Sequence, residues 1–339
     1  MNPEELQKQL IAKVQHIDQV MRDDLAMVRQ PRLAAVLDHA LFTGGKRIRP
    51  LLTLLAASLV KAQSGCDHSP VSAVEPASVA RLAIAFEYLH AASLLHDDVI
   101  DRAGQRRGRA TVNTRWDQGT AILAGNFLHV RAVSLVGNAG GGECLELMAV
   151  AIQAMVAAEF AQMDASTNHD WRQSTYFAVL RGKTAALIAA ACESGVVIAD
   201  GRRQQRQALR AYGVNLGLAF QVIDDLLDYL GEPGVTGKAL GNDLREGKMT
   251  LPLLIAHQQA TPTQRLWLEE QIMAASPAQR GEQFSRVREL LTVTGAFAAC
   301  RAKAEELIAE GLAALTIFPA GPEQIMLSAL GQYVLERKK

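Results

Sequence analysis

The sequence has few cysteines and no excess of charge of either sign. It has four cysteines in 339 residues, Cys66, Cys144, Cys192 and Cys300, and none of them forms a C-x-x-C pair. The chain therefore lacks a zinc signature and a disulfide framework, and we expect a reducing compartment. Lysine plus arginine number 35, as do aspartate plus glutamate. This balance argues against a general nucleic-acid binder, which carries a basic excess.

Long hydrophobic runs are also missing. Eight consecutive apolar residues at Ala185–Cys192 form one of the longest runs, well short of the ~18 that a membrane span needs. The first residues, Met1–Lys8, are polar and have no signal-peptide pattern. We therefore expect a soluble, cytoplasmic protein without an integral membrane segment.

Proline is sparse, with 11 residues, and alanine and leucine dominate. Both are strong helix formers, and apolar residues recur at spacings of three and four, as in Leu82, Phe86 and Leu89. These patterns predict an all-α chain of about ten to thirteen helices. No stretch resembles an interdomain linker, so we expect a single domain over residues 1–339. Between Val150 and Phe160 the sequence is apolar nearly all round, which predicts a helix buried on most sides.

The motif D-D-x-x-D occurs twice, each time after an apolar helical stretch. It supplies six aspartates: Asp97, Asp98, Asp101, Asp224, Asp225 and Asp228. On an α-helix the first and last aspartates of each motif project from the same face. Clustered carboxylates are costly unless cations neutralise them, and hard oxygen ligands suit Mg²⁺ bound together with substrate phosphates. The alternative is that each motif is a solvated helix end.

Cations form several short clusters along the sequence. They are Lys46, Arg47 and Arg49 after a diglycine, Arg102, Arg106, Arg107 and Arg109 after the first motif, Lys183 beside Thr184, and Lys238 and Lys248 after the second motif. Arginine and lysine bind phosphate oxygens well. A Mg²⁺–diphosphate substrate would use both the acidic and the basic clusters, and no Walker-type phosphate loop is present. The alternative for any one cation is a surface ion pair.

Five stretches carry a family resemblance: GGKRIRP, LLHDDVIDRAGQRRGR, RGKTAAL, FQVIDDLLDYLG and GKALGNDLREGKMTLPLL. Together they resemble the all-trans polyprenyl diphosphate synthase family over roughly residues 34–255. The resemblance implies the all-α isoprenoid synthase type I fold with a central cavity, and a homodimer. It also implies head-to-tail addition of isopentenyl diphosphate to an allylic diphosphate.

The same resemblance implies a role for individual residues. Three Mg²⁺ ions would be held chiefly by Asp97, Asp101 and Asp224, with Asp98, Asp225 and Asp228 in support. The allylic diphosphate would be held by Arg106, Lys183, Thr184, Gln221, Lys238 and Lys248, of which Lys183 and Lys238 also count among the catalytic residues. Isopentenyl diphosphate would be held by Lys46, Arg49, His90 and Arg107. One position departs from the family pattern, because Asn126 stands where an aspartate is usual.

Small residues before the first motif favour a long product. Ala92 and Ser93 precede Asp97 by five and four residues, and the next large side chain on the helix face that carries Asp97 is Phe86. Phe86 lies ~16 Å below Asp97 at ~1.5 Å per residue, which favours a product of about C30–C50, of octaprenyl type. A helix at Met148–Met155 could instead close the tunnel earlier and leave a short-chain farnesyl or geranylgeranyl diphosphate synthase.

Two other functions remain as alternatives. A class I terpene cyclase shares the first aspartate motif, but its second metal motif mixes asparagine, serine and glutamate at wider spacing. A silent regulatory subunit would be expected to have lost one of the motifs. Whether the C-terminal Arg337, Lys338 and Lys339 reach the site is not determined by the sequence.

Overall fold

The computed structural model describes residues 3–63, 76–106, 108–231, 240–273 and 275–337. Among the residues assigned to the site by resemblance, Arg107 and Lys238 lie outside these ranges. The described residues are all-α, as predicted, apart from one pair of two-residue antiparallel strands, β1 (Gln105–Arg106) and β2 (Arg109–Ala110).

The described part of the chain contains sixteen α-helices. They are α1 (Pro3–Leu25), α2 (Pro31–Phe42), α3 (Ile48–Gln63), α4 (Ala77–Ile100), α5 (Val112–Arg115), α6 (Gln118–Thr167), α7 (Gln173–Leu180), α8 (Ala186–Ile198), α9 (Arg203–Leu230), α10 (Asn242–Glu246), α11 (Leu251–Gln259), α12 (Pro262–Met273), α13 (Pro277–Glu282), α14 (Phe284–Val293), α15 (Ala296–Ala314) and α16 (Pro322–Leu335). Four have eight residues or fewer and twelve are longer. The described residues thus contain more helices than the ten to thirteen predicted, because helices this short give little periodic signal in the sequence.

Two short helical segments of other types interrupt this series. A π-helical turn covers Arg181–Ala185, between α7 and α8, and a 3₁₀ turn covers Leu315–Ile317, after α15. Helix α6 contains a kink at Gly141, whose φ of 69° and ψ of −169° are not helical. Glycine has no Cβ and adopts this positive φ without a steric penalty.

The chain divides into two compact units. The first comprises Met1–Ala151, Leu187–Gly213 and Ala314–Leu330, and the second comprises Ile152–Ala186, Val214–Ala313 and Gly331–Lys339. The first aspartate motif lies in the first unit and the second motif in the second. The single domain inferred from the sequence stays a prediction.

Helix α4 is the core helix of the first unit. Fourteen of its 24 residues are buried, and it packs against α3 and α1. Helix α8 approaches α3 closely, because a Cβ added to Gly195 would lie 2.4–2.8 Å from Thr53 O and Ala56 Cβ. The Thr53 hydroxyl donates a 3.1 Å hydrogen bond to Ala191 O across the same contact. Helix α4, which carries the first motif at its C-terminal end, therefore packs against a helix that is itself tightly packed.

The second unit is built around the C-terminal half of α9. Val222, Ile223 and Leu226 are buried, and the ring of the buried Tyr229 lies 6.1 Å from that of Phe284. A Cβ added to Gly217 would lie 2.7 Å from Ala185 Cα. Because the absent side chain permits this approach, α9 lies directly against the π-helical turn, and the second motif is brought near Lys183 and Thr184.

Helix α6 corrects one expectation. Val150, Val156 and Phe160 are 49%, 54% and 66% exposed, so the prediction that Val150–Phe160 is buried on most sides is wrong for the single chain. In the described part of the chain, α4 and α6 are long and apolar enough to cross a membrane. Length and composition alone are weak evidence for a membrane span, since the core helix of a soluble protein has the same properties. The most apolar window of α4 is 67% buried and that of α6 is 22% buried.

Candidate active site

The first aspartate motif lies where α4 ends. Asp97 and Asp98 are in the last turn of the helix, and Asp101 is its C-cap, with its backbone N–H donating to Asp97 O at 2.8 Å. Asp98 is buried, Asp97 is partly exposed and Asp101 is exposed. The adjacent aspartates therefore have different environments, with one carboxylate turned into the protein and one towards its surface.

Arg106 holds the buried carboxylate of Asp98. Its Nε and Nη2 donate to Asp98 Oδ1 at 3.0 and 2.7 Å, a fork that matches carboxylate geometry. The β1–β2 hairpin places Arg106 there, and Asn113 donates to the backbone oxygens of Asp98 and Ala103, each at 3.2 Å. Arg106 is 33% exposed on its side chain. The family resemblance assigned Arg106 to the allylic diphosphate. In this structure its guanidinium contacts Asp98 of the first motif.

The cations after the diglycine have different environments. Arg47 is 4% exposed and donates to Asp18 at 2.7 Å and to Glu87 at 3.0 Å. The backbone φ of Arg47 is 50°, which is unusual for a residue with a Cβ. With this backbone conformation the Arg47 side chain lies in the core. Lys46 is exposed and Arg49 is partly exposed. Arg47 is therefore a structural residue, while its two neighbours remain the candidates for binding isopentenyl diphosphate.

The residues of α4 that precede the first motif are only partly exposed. His90 and Ser93 are both partly exposed, and the Ser93 hydroxyl donates to His90 O at 2.8 Å. Ala92 and Phe86 are 1% and 0% exposed. Of the three residues predicted to set product length, Ser93 is thus the one with accessible surface. Asn126, the departure from the family pattern, is an exposed residue of α6.

The second motif lies entirely within α9 and divides its aspartates in the same way. Asp224 is 50% exposed on its side chain, whereas Asp225 is 5% exposed. Asp225 accepts hydrogen bonds from Tyr176 Oη at 2.7 Å and Gln221 Nε2 at 2.9 Å. Burial raises the pKa of Asp225 to about 7, against the opposing effect of these two hydrogen bonds.

Asp228 contacts the first two residues of α10. Its Oδ1 and Oδ2 accept the backbone N–H groups of Asn242 and Asp243 at 3.2 and 3.1 Å. Lys248 pairs with Glu246 at 2.6 Å, and its backbone N–H donates to Asp243 O at 2.9 Å. The carboxylate of Asp228 thus holds the chain segment that carries Lys248.

The π-helical turn presents Lys183 and Thr184. π-helical turns are rare in proteins, and those that occur are often found at functional sites. The extra residue in the turn shifts the side chains that follow it. The Thr184 hydroxyl donates to Gln221 Oε1 at 3.2 Å, so a chain of hydrogen bonds runs from Thr184 through Gln221 to Asp225. A Cβ added to Gly182 would lie 2.6 Å from Ala154 O, so the turn packs tightly against α6.

Several residues at the site were not predicted from the sequence. Lys183 Nζ contacts Glu159 Oε2 at 2.6 Å and Gln162 Oε1 at 2.9 Å. The signal for this pair was available, because Glu159 and Gln162 lie three residues apart in an otherwise apolar stretch. Tyr176 and Arg337, the partners of Asp225 and Asp224, gave no such signal, since each is distant in sequence from the motif.

The donor set fits a hard divalent cation. Among the described residues no three histidine, cysteine, aspartate or glutamate side chains converge to hold a metal by themselves. Mg²⁺ commonly binds through one or two carboxylates and completes its shell with water and substrate phosphates. Exposed carboxylates such as Asp224 and Asp101, with buried aspartates beside them, suit this mode of binding.

Comparison with solved structures places the chain in a class. It aligns over 99% of its length with polyprenyl synthase from Caulobacter crescentus, whose crystal structure is a complex with calcium and isoprenyl diphosphate (98% of that chain, TM-score 0.86, 34% identity). It aligns equally well with a decaprenyl diphosphate synthase from Rhodobacter capsulatus (99% of each chain, TM-score 0.87, 35% identity). The fold and site therefore define an all-α prenyl transferase.

The sequence comparisons agree with the structural ones. Residues 30–291 match the polyprenyl synthetase family. Over 296 residues the chain is 34% identical to octaprenyl diphosphate synthase from Escherichia coli, covering 87% of each protein. The chain belongs to the polyprenyl synthetase family, as the motif resemblance predicted.

Proposed function

We propose that the protein condenses isopentenyl diphosphate head-to-tail with an allylic diphosphate and releases a long-chain all-trans polyprenyl diphosphate. The named relatives that support this assignment make octaprenyl and decaprenyl products. A short chain isoprenyl diphosphate synthase from Methanothermobacter thermautotrophicus is 31% identical to the chain over 325 residues, so a product analysis decides between the two product classes.

The observation that carries the proposal is the common division of the two motifs. In each, the second aspartate is buried and held by protein donors, Arg106 for Asp98 and Tyr176 with Gln221 for Asp225. The first aspartate, Asp97 or Asp224, keeps accessible surface. A solvated helix end would not bury and hydrogen-bond one carboxylate of every pair, so the pattern favours two ligand-binding motifs.

The metal assignment follows from this division. Asp97, Asp101 and Asp224 would hold up to three Mg²⁺ ions, while Asp98, Asp225 and Asp228 stay with their protein partners. When bound, Mg²⁺ would neutralise and orient the allylic diphosphate as it becomes the leaving group. The complex of the Caulobacter crescentus relative with calcium and isoprenyl diphosphate supports a divalent cation beside a diphosphate.

Lys183, Thr184 and Gln221 would bind the allylic diphosphate from the second unit. Lys183 would exchange its contact with Glu159 for a phosphate oxygen, since an ammonium with three donors moves readily between anionic partners. Arg106, Lys238 and Lys248 would complete this set. Lys46, Arg49, His90 and Arg107 would hold isopentenyl diphosphate, whose double bond attacks the allylic carbon.

Charge and proton balance can be met without a protein base. As the allylic C–O bond breaks, the bonding electrons leave with the diphosphate, and the double bond of isopentenyl diphosphate forms the new C–C bond. The resulting cation loses a proton, which the departed diphosphate can accept. The apolar residues that surround the chain would exclude water, which would otherwise trap the cation.

A homodimer is also proposed, and the exposed apolar side chains of α6 support it. Val156, Phe160 and Met163 are 54%, 66% and 53% exposed, and their spacing of four and three places them on one helix face. Large exposed apolar faces mark interaction surfaces. A second copy of the chain would cover this face.

The experiment is a product analysis. The purified protein is incubated with Mg²⁺, isopentenyl diphosphate and farnesyl diphosphate, and the dephosphorylated products are separated by chain length. Linear all-trans products of about C30–C50 are expected, as the names of the octaprenyl and decaprenyl relatives suggest. Products that stop at farnesyl or geranylgeranyl length would favour a short-chain synthase, and a cyclic hydrocarbon would favour a terpene cyclase.

A further inference from the structure

The C-terminal Arg337 makes an ion pair with the exposed aspartate of the second motif. Its Nη2 donates to Asp224 Oδ1 at 2.8 Å, and its Nη1 donates to Phe220 O at 3.5 Å. The guanidinium carbon lies 4.1 Å from the centroid of the Phe220 ring. Only 7% of the Arg337 side chain is exposed, against 50% for Asp224. A terminal arginine so well covered is held by specific contacts.

The helix geometry explains why one arginine can satisfy both partners. Phe220 and Asp224 are four residues apart on α9 and therefore share a face. A planar guanidinium can stack on an aromatic ring and donate to a carboxylate at the same time. The chain just before Arg337 is held independently, because Arg301 Nη1 donates to Leu335 O at 3.3 Å.

A metal ion bound through Asp224 Oδ1 would use the same oxygen that accepts from Arg337. Mg²⁺ binds carboxylate oxygens at about 2.0–2.1 Å, and the guanidinium nitrogen is 2.8 Å from Asp224 Oδ1. Two cations on one oxygen repel each other strongly at such distances. Metal and arginine therefore compete for Asp224.

We propose that Arg337 occupies Asp224 in the metal-free protein and is displaced when a divalent cation binds. This inference rests on the proposed function, in which Asp224 is a metal ligand. Arg337 is a positioning residue, since it acts through Asp224 and keeps the carboxylate paired until the metal arrives. Displacement also frees Glu336 and Arg337, the two described residues that follow α16.

The test measures metal binding without catalysis. Mn²⁺ is titrated into the metal-free protein and the free aqueous ion is followed by electron paramagnetic resonance. Arg337→Gln should bind Mn²⁺ about fivefold more tightly than the unmodified protein, the size expected when one partly exposed ion pair no longer competes. Arg337→Lys keeps the charge but loses the fork and the stacking, so its affinity should be intermediate.

Arg301→Gln is the matched control. It removes an arginine contact to the same C-terminal chain without touching Asp224, and its Mn²⁺ affinity should stay within twofold of the unmodified protein. In the unmodified protein, saturation with Mn²⁺ should speed amide hydrogen exchange at Glu336, whose N–H donates to Gln332 O at 3.0 Å, and at Arg337. Circular dichroism melting of each variant identifies any that fail to fold.

Three results overturn the inference. If folded Arg337→Gln binds Mn²⁺ no more tightly than the unmodified protein, Arg337 does not compete with the metal for Asp224. Unchanged hydrogen exchange at Glu336 and Arg337 on Mn²⁺ binding would show that Arg337 is not displaced. Mn²⁺ affinity that is unaffected by Asp224→Asn would remove Asp224 as a ligand, and that result contradicts the proposed function as well, whereas the first two leave it standing.

Discussion

Tyr176 donates a 2.7 Å hydrogen bond to Oδ2 of Asp225, and both residues are buried. Tyr176 begins the second turn of α7, and Asp225 lies 49 residues later in the chain, on α9. The contact stabilises the ionised form of a carboxylate that burial would otherwise leave protonated. It therefore links the packing of α7 to the charge of the second motif.

The first prediction concerns pH. The pKa of Asp225 is 3.8 in its ordinary state and is raised to about 7 in the fold, chiefly by burial. Between these values the folded chain holds a proton that the unfolded chain has released, so the contribution of Asp225 to stability falls as pH rises through this window. Urea unfolding of metal-free protein should show a flatter pH dependence from pH 4 to 7 in Asp225→Asn than in the unmodified chain.

Tyr176→Phe extends the same test. Loss of the hydroxyl removes a hydrogen bond that lowers the pKa of Asp225, so the window in which stability falls should reach to higher pH. Asp164→Asn, an exposed substitution on α6, should leave the profile unchanged. An Asp225→Asn profile that runs parallel to that of the unmodified protein would contradict the assignment.

The second prediction concerns the π-helical turn. Gly182→Ala places a Cβ 2.6 Å from Ala154 O and 2.6 Å from Ala158 Cβ, and since one of these is backbone, the turn must shift. Lys183 and Thr184 would move with it, and condensation activity should fall at least tenfold, as expected when site groups are displaced by about 1 Å.

Gly137→Ala is the control for this substitution. It is also a helical glycine, but nothing lies within 4 Å of its added Cβ. Alanine favours the helix over glycine by about 0.5–1 kcal/mol, so this variant should be as active as the unmodified protein and slightly more stable in thermal melts. Equal activity in both variants would show that the turn tolerates a side chain.

The third prediction separates two neighbouring cations. Arg47→Gln leaves the buried carboxylate of Glu87, which is 6% exposed, without its guanidinium partner. Removing one member of a buried ion pair costs about 3–5 kcal/mol, so urea unfolding should shift to much lower concentrations.

Lys46→Gln changes the adjacent, exposed cation. Its stability should stay within about 0.5 kcal/mol of the unmodified chain, while the KM for isopentenyl diphosphate should rise. The opposite pattern, with stability lost in Lys46→Gln and retained in Arg47→Gln, would reverse the two assignments.

The fourth prediction concerns product length. Ser93 is partly exposed on α4 four residues before Asp97, so Ser93→Phe should block the path of the growing chain and shorten the product. Ala92 is 1% exposed, and enlarging it would overpack the core, which makes Ser93 the cleaner site. Ser78→Phe, an exposed serine at the start of the same helix, should leave the product lengths unchanged. An unaltered distribution in Ser93→Phe would show that the chain does not pass this residue.

The fifth prediction concerns assembly. Phe160→Glu places a charge on the exposed apolar face of α6, and burying that charge between two copies is costly. The mass measured by light scattering should fall from dimer to monomer. Leu266→Glu changes a side chain that is equally exposed, at 67% against 66%, but lies on α12, and it should leave the dimer intact.

Local patterns gave a correct account of the helices and of the motifs on them. The D-D-x-x-D spacing predicted that both motifs lie on helices, and the structure places them at the end of α4 and within α9. The apolar spacing of Leu82, Phe86 and Leu89 predicted a helix there, and these residues lie within α4. These predictions succeed because helical periodicity is a short-range property of the chain.

The sequence did not show which carboxylate of each motif is buried, or which cations reach a ligand. Asp98 and Asp97, like Arg47 and Lys46, are adjacent and chemically alike. Their environments differ because of partners such as Glu87, 40 residues from Arg47. The one clear error, at Val150–Phe160, has a similar cause, since an apolar surface is the same in sequence whether it faces a core or solvent.

The amino-acid sequence by itself determined the all-α class, the two aspartate motifs and the family, because each depends on residue type and short spacing. Tertiary structure decided that Tyr176 holds Asp225, that Glu159 holds Lys183 and that Arg337 pairs with Asp224 across 113 residues of sequence. Such contacts depend on where folding brings distant helices together, and side-chain chemistry alone does not specify that position.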